Sequence, residues 1–432
     1  MTDNTPVRRR ALKLTAAACA GILALSACGN GGDDDGEITL TVAWWGSDTR
    51  HQNTYDIIEA YEEENPGIRI EPQYGDWDGY WDQLATQFAG GDGPDVIQMD
   101  DNYLREYGER GQLLELTEVD VSELDEDAVE NGRTENEGLI GVTTGINAMV
   151  LLANPDIFEQ AGVEIPDDTT WTWDDYREIA ATITEEVEDV YGATGPGQPP
   201  DLQMWLRQQG QHLTTEEGEL GFDAADAEEY FEHLLQFMEE GAYPPAAVIA
   251  EDQTPGPDES MTGSNEVAMG MWWTNQVPAI SEAAGVDMVP LRMPSQTGNA
   301  EENGMWFKST MLWSANAGTD HPEEVQDFIE WMVNSEDVAL MNGTDRGLPS
   351  HPAGREAVLE ELDGPDLTSA EFLLEIEDEV AAQDAEPVPA MGFSAMQEIL
   401  RRYELEVFFE RQSPAEAAEA MIAEMESEVG AP

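Results

Sequence analysis

Residues 38–43 read Ile-Thr-Leu-Thr-Val-Ala and end on Trp44-Trp45-Gly46, an apolar, β-branched run of the kind that forms a buried strand. From 51 to 65 the apolar positions change to a helical period, at Tyr55, Ile57, Ile58 and Tyr61, and Asn65-Pro66-Gly67 stops it. A second strand is expected over 68–72, running into Gln73–Gly79, and a second helix over 80–89 with Trp81, Leu84, Ala85 and Phe88 on one side. The turn at 90–94 leads into a third short strand, 95–99, that ends at Asp100-Asp101-Asn102. Strand, helix, strand, helix, strand in this order predicts a parallel, doubly wound sheet.

The pattern continues. Residues 139–152 form a β-rich run broken at Gly145, and 173–184 and 224–240 have the period of amphipathic helices. Stretches 191–200 and 244–265 are rich in Gly and Pro or lack periodicity, and are expected as loops. Val267–Met271 is apolar and runs into Trp272-Trp273-Thr274-Asn275, repeating the opening theme. A short strand is expected over 288–294, a return crossing over 304–313, and helices over 323–333, 369–382, 395–409 and 414–429. The last has a Met-and-Ile stripe that reads as packing.

Chemistry gathers at the strand ends. Trp44 and Trp45, Asp76 and Trp77, and Asp100 and Asp101 all follow the carboxyl end of a predicted strand, where open α/β sheets collect ligands. Adjacent residues of a strand point to opposite faces, so one indole of each Trp-Trp pair belongs to a core and the other can reach a ligand. Trp45, nearer the turn, is the expected contact of the first pair. A flat aromatic ring suits the apolar face of a sugar, and Asp76, Asp100, Asp101 and Asn147 could accept from its hydroxyls. Trp272, Trp273 and Trp306 are candidates from the second half. Arg346 could add a donor fork or make a structural ion pair. Trp81, Trp171, Trp173 and Trp331 lie on predicted helices or their caps and are expected to pack; Trp205 is open.

Charge then narrows the ligand. The chain has 92 Asp and Glu against 18 Lys and Arg, a net charge of −74, and its lysines are Lys13 and Lys308. Such a surface repels phosphates, which argues against nucleic acid. It should also destabilise a compact state unless salt screens it, and at molar salt the Debye length falls to about 3 Å. High-salt surroundings are therefore expected. With so few cations available, a neutral ligand is favoured. No His-Glu-x-x-His, Cys ligand set, Gly-x-Ser-x-Gly elbow, phosphate-binding loop or EF-hand spacing occurs, so neither cofactor nor metal is expected. Carboxylate pairs of any spacing arise by chance among so many acids, which leaves a secreted carbohydrate-active hydrolase as the enzyme alternative.

The N-terminus gives the location. Val-Arg-Arg-Arg-Ala-Leu-Lys at 7–13 precedes an apolar stretch over 14–27, too short for a lasting membrane span. It resembles a twin-arginine export signal, with ordinary secretion as the alternative. Leu25-Ser26-Ala27-Cys28-Gly29 resembles a bacterial lipobox, which makes 1–27 a signal peptide, Cys28 a lipidated N-terminus and 28–36 a Gly/Asp tether. The other cysteine, Cys19, lies inside the signal, so the mature body is expected to have no disulfide.

The ordered set Trp-Trp-Gly after strand one, Asn-Pro-Gly-Ile at 65–68, Gly-Gly-Asp-Gly-Pro-Asp-Val at 90–96 and Asn154-Pro155 resembles the family 1 extracellular solute-binding proteins, the maltose-binding-like lipoproteins of carbohydrate importers. Thr170-Trp171-Thr172-Trp173, His321-Pro322-Glu323-Glu324-Val325 and Arg346-Gly347-Leu348-Pro349-Ser350 extend the similarity over nearly all of the chain from 37 on. The resemblance implies an α/β fold of two lobes (type II), each a doubly wound, mostly parallel sheet, joined by a hinge. It implies one lobe over 37–146 and 305–362, the other over 147–304 and 363–432, crossing near Gly145 and again over 304–313. It further implies a monomer that presents a sugar to the permease of an ATP-binding-cassette importer, held at the membrane by lipid on Cys28. A binding protein that serves a sensor instead is the other alternative.

Overall fold

In the computed structural model the described residues are 38–429, excepting 47, 125, 135–137, 197–198, 254–255, 382 and 384–385. The export signal, Cys28 and the tether lie outside the described residues.

The first sheet is built on β1 (Ile38–Trp45). After α1 (Asp48–Glu64) comes β2 (Ile68–Gly75), which pairs in parallel with β1 from Ile38 opposite Ile68 to Trp45 opposite Gly75. Then α2 (Trp77–Gly90) leads to β3 (Val96–Met99), parallel to β1 on its other side, and α3 (Asp101–Glu109) follows. The expected β-rich run over 139–152 is instead cut into β4 (Val142–Thr143), β5 (Ile146–Asn147) and β6 (Met149–Ala153). Gly145 explains part of the cut: a Cβ there would stand 2.7 Å from the carbonyl oxygens of Arg346 and Leu348. The chain of 346–348 passes against it, and Ile146 and Leu348 exchange backbone hydrogen bonds of 2.8 and 3.0 Å.

The second half adds α4 (Trp173–Glu186), β7 (Tyr191–Ala193), α5 (Pro199–Arg207), α6 (Ala224–Glu239), α7 (Ala246–Asp252), β8 (Val267–Trp273), β9 (Val289–Leu291), β10 (Lys308–Ser309) and β11 (Leu312–Ala315). Later helices include α8 (Pro322–Asn334), α9 (Met396–Phe408) and α10 (Pro414–Glu428). Three expectations are corrected. The loop expected over 191–200 contains β7 and the start of α5, because Pro199 and Pro200 occupy a first helical turn, where a missing N–H costs nothing. The loop expected over 244–265 contains α7, set off by Pro245 at its cap. The helix expected over 369–382 is two, Gly364–Glu375 and Glu377–Val380.

The strands form two main sheets, in the orders β2-β1-β3-β11-β4 and β9-β6-β8-β7. In the first, β11 runs antiparallel to β3 and β4. In the second, β6 runs antiparallel to β8 and β9, while β7 is parallel to β8. Each sheet thus has one reversed strand, and in each it is the first strand after the chain arrives from the other sheet. Those two passages, β5 and β10, pair with one another antiparallel, Lys308 opposite Asn147 and Ser309 opposite Ile146.

Both faces of the first sheet are covered. Leu40, Val42 and Trp44 pack with Ile57, Phe328 and Trp313, whereas Ala43 and Trp45 pack with Tyr80, Trp81, Leu84 and Leu104. Alternation therefore sends each member of the first tryptophan pair into a different core. An indole buries roughly 200 Å², so at about 25 cal/mol per Å² the burial of Trp44 contributes at most about 5 kcal/mol. The second sheet has its own core, in which Val150 and Leu152 meet Phe158, Tyr176, Phe231 and Phe237.

Candidate functional site

Where the turn after β3 faces the second sheet, the chain encloses a cavity of about 190 Å³. Asp100, Asp101 and Asn102 line it from the first side. They are held by a cap: Asp100 accepts from the Asn102 N–H (3.1 Å) and starts α3. Trp273 comes from the end of β8, Trp306 and Lys308 from the return crossing, and Glu386, Pro387, Val388 and Pro389 from the segment before α9.

Lys308 sits at the centre. Its Nζ donates to Asp101 Oδ1 at 2.7 Å, stands 3.6 Å from Asp100 Oδ2, and lies 5.7 Å from the centroid of the Trp273 ring. Burial acts against the charged amine, but Asp100 and Asp101 outweigh it and hold the Lys308 pKa above the ordinary lysine range. Burial pushes the Asp100 carboxyl up to about 7; Lys308 opposes that rise and Asp101 adds to it. The Trp273 and Trp306 rings meet edge to face, centroids 6.0 Å apart at 89°. Behind Trp306 the Arg207 guanidinium lies 5.3 Å from its ring, donates to Glu386 Oε2 (2.6 Å) and to the Gly304 carbonyl (2.7 Å). His212 Nδ1 is 2.9 Å from the same Glu386 oxygen.

This lining offers the half-buried Trp273 ring, backed edge-on by the buried Trp306, and carboxylates whose orientation is set by neighbours, an arrangement that stacks and hydrogen-bonds a polyhydroxylated ring. Among the described residues no three His, Cys, Asp or Glu side chains converge as a metal site.

Of the candidates named from the sequence, Asp100, Asp101, Trp273 and Trp306 are brought together in the cavity. The others are elsewhere. Trp44 is fully buried; its Nε1 donates to His51 Nδ1 (3.0 Å) and its ring stacks on Tyr74. Trp45, expected as the first pair's contact, is corrected to a core residue: it is 8% exposed and packed among Trp77, Tyr80 and Trp81 at 5.0–5.5 Å. Trp77 is 39% exposed but outside the lining, edge-on to Trp45. Asp76 caps α2, accepting from the Gly79 N–H at 2.8 Å.

Asn147 lies on the crossing strand; its Nδ2 donates to Asn275 Oδ1 (3.2 Å), and its buried Oδ1 lacks a partner among the described residues. Trp272 donates to Thr262 Oγ1 (2.9 Å) beside a separate, smaller cavity shared with Thr194, Asp201 and Arg401. Of its two open roles Arg346 has the structural one, made with neutral acceptors in place of an ion pair. It is 1% exposed, and its fork donates to Gln98 Oε1 (3.0 Å), Asn342 Oδ1 (2.8 Å) and Thr54 Oγ1 (2.8 Å) over the Trp313 ring.

Other lining residues escaped the candidates, among them Lys308, the segment 386–389 with Glu386, and the polar Asn131, Gln203 and Thr214. For Lys308 a signal existed, since it is the only lysine after Lys13. Glu386 had none, being one acid among 92.

The comparisons agree with this architecture. The family model described as bacterial extracellular solute-binding protein matches residues 47–339. A lipoprotein of Streptomyces antibioticus is 29% identical over 195 residues, 44% of this chain and 42% of its own, so the match spans less than half of that relative. An arabinooligosaccharide-binding protein of Halalkalibacterium halodurans is 24% identical over 70% of this chain and 69% of its own. Among solved structures, a periplasmic oligogalacturonide-binding protein of Yersinia enterocolitica superposes with a TM-score of 0.74 at 20% identity, covering 90% of this chain and 98% of that one. Two sheets, one reversed strand in each, a paired double crossing and a match over residues 47–339 lead to one assignment: the chain belongs to the bacterial extracellular solute-binding proteins.

Proposed function

We propose that this protein captures a neutral sugar or oligosaccharide between its lobes and delivers it to an ATP-binding-cassette importer. The observation that carries the reading is the pairing of crossed Trp273 and Trp306 rings with carboxylates already engaged by Lys308. Lys308 is the sole basic side chain among the described lining residues, and two acids occupy it. An acidic sugar would therefore meet net negative charge, while a neutral one meets oriented acceptors and the Trp273 ring. The arabinooligosaccharide named for the Halalkalibacterium relative supports a neutral glycan. The oligogalacturonide named for the Yersinia protein is a uronic acid glycan, but at 20% identity that likeness carries the fold alone.

The reading takes 37–146 with 305–362 as one lobe and 147–304 with 363–432 as the other, and the paired crossings β5 and β10 as the hinge. A ligand that prefers the closed arrangement shifts an existing equilibrium toward it. Lipid on Cys28 would keep a monomeric receptor beside the permease, after export by the twin-arginine or the general secretory route. The net charge of −74 supports function in concentrated salt, where repulsion is screened.

A thermal-shift screen in molar salt, comparing neutral sugars with uronates, tests the reading. A ligand at a hundred times its Kd adds about 2.7 kcal/mol of stability. A rise with neutral glycans supports the proposal; a rise confined to uronates or to non-sugar solutes would refute it.

A further inference from the structure

The helix that starts at the cavity floor also reaches across to the opposite lobe. Asp100 caps α3, and Arg105, in the middle of that helix, has a side chain only 7% exposed. Its Nε donates to the carbonyl of Pro389 (3.1 Å), and its Nη2 to those of Val388 (2.9 Å) and Glu216 (3.2 Å). Among the described residues its one ion-pair partner is Glu109, at 3.7 Å on its own helix, so carbonyls of distant chain dominate its surroundings. Gly218 takes the left-handed φ of 80° that turns the 216–218 loop against it, its Cβ position 3.4 Å from Nη1.

These carbonyls belong to the second lobe's side. Glu386, at the start of the segment, is tied to Arg207 and His212, whose neighbours Leu206 and Leu213 lie in the second sheet's core, and α9 just beyond packs there through Met396 and Ile399. The side chain of Val388, however, enters the first sheet's aromatic core with Trp45, Trp81, Leu104 and Tyr107. The same segment, 386–389, is a wall of the cavity.

We propose that Arg105 is a positioning residue for ligand capture, which clasps the 386–389 segment and the 216–218 loop to α3 and so sets the resting gap between the lobes. The proposal rests on the hinge-closure reading above. Opening the cleft must break three hydrogen bonds at once and withdraw Val388 from its core. A planar guanidinium can meet three acceptors at fixed angles, which an ammonium cannot reproduce. The clasp biases the equilibrium toward closure before any sugar arrives.

Electron–electron resonance distances between spin labels test it. Labels are placed at T86C on α2 and E232C on α6, in the full chain with C19S and C28S, in molar salt and without sugar. Arg105→Ala is expected to move the distance distribution to longer and broader values, Arg105→Lys to fail to restore it, and Val388→Ala to move it in the same direction. A distribution for Arg105→Ala that superimposes on the parent overturns the proposal. If circular dichroism shows Arg105→Ala unfolded, a parent-like distribution for Arg105→Lys overturns it instead. The sugar screen is a separate result: a shifted distribution with no sugar bound by any variant keeps the clasp and discards the sugar reading, and the reverse pattern discards the clasp.

Discussion

Two strands of this protein end in the same dipeptide, yet Trp44-Trp45 and Trp272-Trp273 sit in different surroundings. At the end of β1 both indoles are buried, because helices cover both faces of the first sheet at that point: Trp44 is 0% and Trp45 8% exposed. At the end of β8 both are half-buried, one beside Thr262 and a small cavity, the other in the cleft with Trp306 and Lys308. Alternation along a strand says that paired tryptophans face opposite ways. It does not say what waits on each side, and that decides between core and site.

The largest effect that would separate the pairs is on stability. Trp44→Ala should cost about 3–5 kcal/mol of folding free energy, as for large-to-small core truncations, read by denaturant unfolding in molar salt. A loss as small as that of an exposed residue would show that the first pair is not core.

A second contrast lies between the carboxyls that burial lifts in the two halves. Glu404 on α9 is fully buried, accepts one hydrogen bond from the Tyr230 hydroxyl (3.1 Å), and its Oε2 has no partner among the described residues. Burial, then Asp201, pushes its pKa from 4.5 up to about 8, against the smaller pull of the Tyr230 hydrogen bond and Arg401. A folded-state value above the unfolded one means the folded protein binds the proton more tightly. The resulting stability is complete below pH 4.5 and is lost as pH rises through about 8. Glu404→Gln should flatten that decline, visible in melting temperature between pH 5 and pH 8.5, read as about the window of the shift. Asp100, raised to about 7 by burial, should impose a weaker trend of the same sign that Asp100→Asn removes.

The remaining changes sharpen the second pair. Trp273→Ala should weaken sugar binding by about 1–3 kcal/mol, on the scale of base–aromatic stacking, and leave folding intact. Trp272→Phe loses the hydrogen bond to Thr262, worth about 0.5–1.5 kcal/mol of stability, and should leave sugar affinity where it was. An affinity loss in Trp272→Phe as large as in Trp273→Ala would erase the distinction between them.

Much of the fold was legible. The alternation of strand and helix from residue 38 to 99 follows from periodicity and from Gly and Pro punctuation, whereas the helix Asp101–Glu109 was not read from the sequence. The reversal of β6 and β11 was not, because an apolar run has no direction until its partners are known. The helix at Pro199–Arg207 was hidden because two prolines read as loop, although both suit a helix start. The candidate cavity coincides with one of the strand-end loops singled out from the sequence, the one at Asp100, and not with the loops at Trp45 and Asp76. Asp76 and Asp100 have the same sequence character and both cap helices, yet Asp100 is 7% exposed at the cavity while Asp76 stays in solvent. Arg346 was open between a ligand fork and an ion pair because two of its three protein acceptors, Gln98 and Thr54, come from distant parts of the chain, although the third, Asn342, is only four residues away.

The central claim is that a neutral sugar binds at Trp273 and not at the first tryptophan pair. Its most direct test is calorimetric titration in molar salt, using the neutral sugar with the largest thermal shift, of the parent protein, Trp273→Ala and Trp45→Phe. The account predicts a parent-like Kd for Trp45→Phe and a Kd raised by a factor corresponding to about 1–3 kcal/mol for Trp273→Ala. An unchanged Kd for folded Trp273→Ala, or an equal loss in Trp45→Phe, would contradict it.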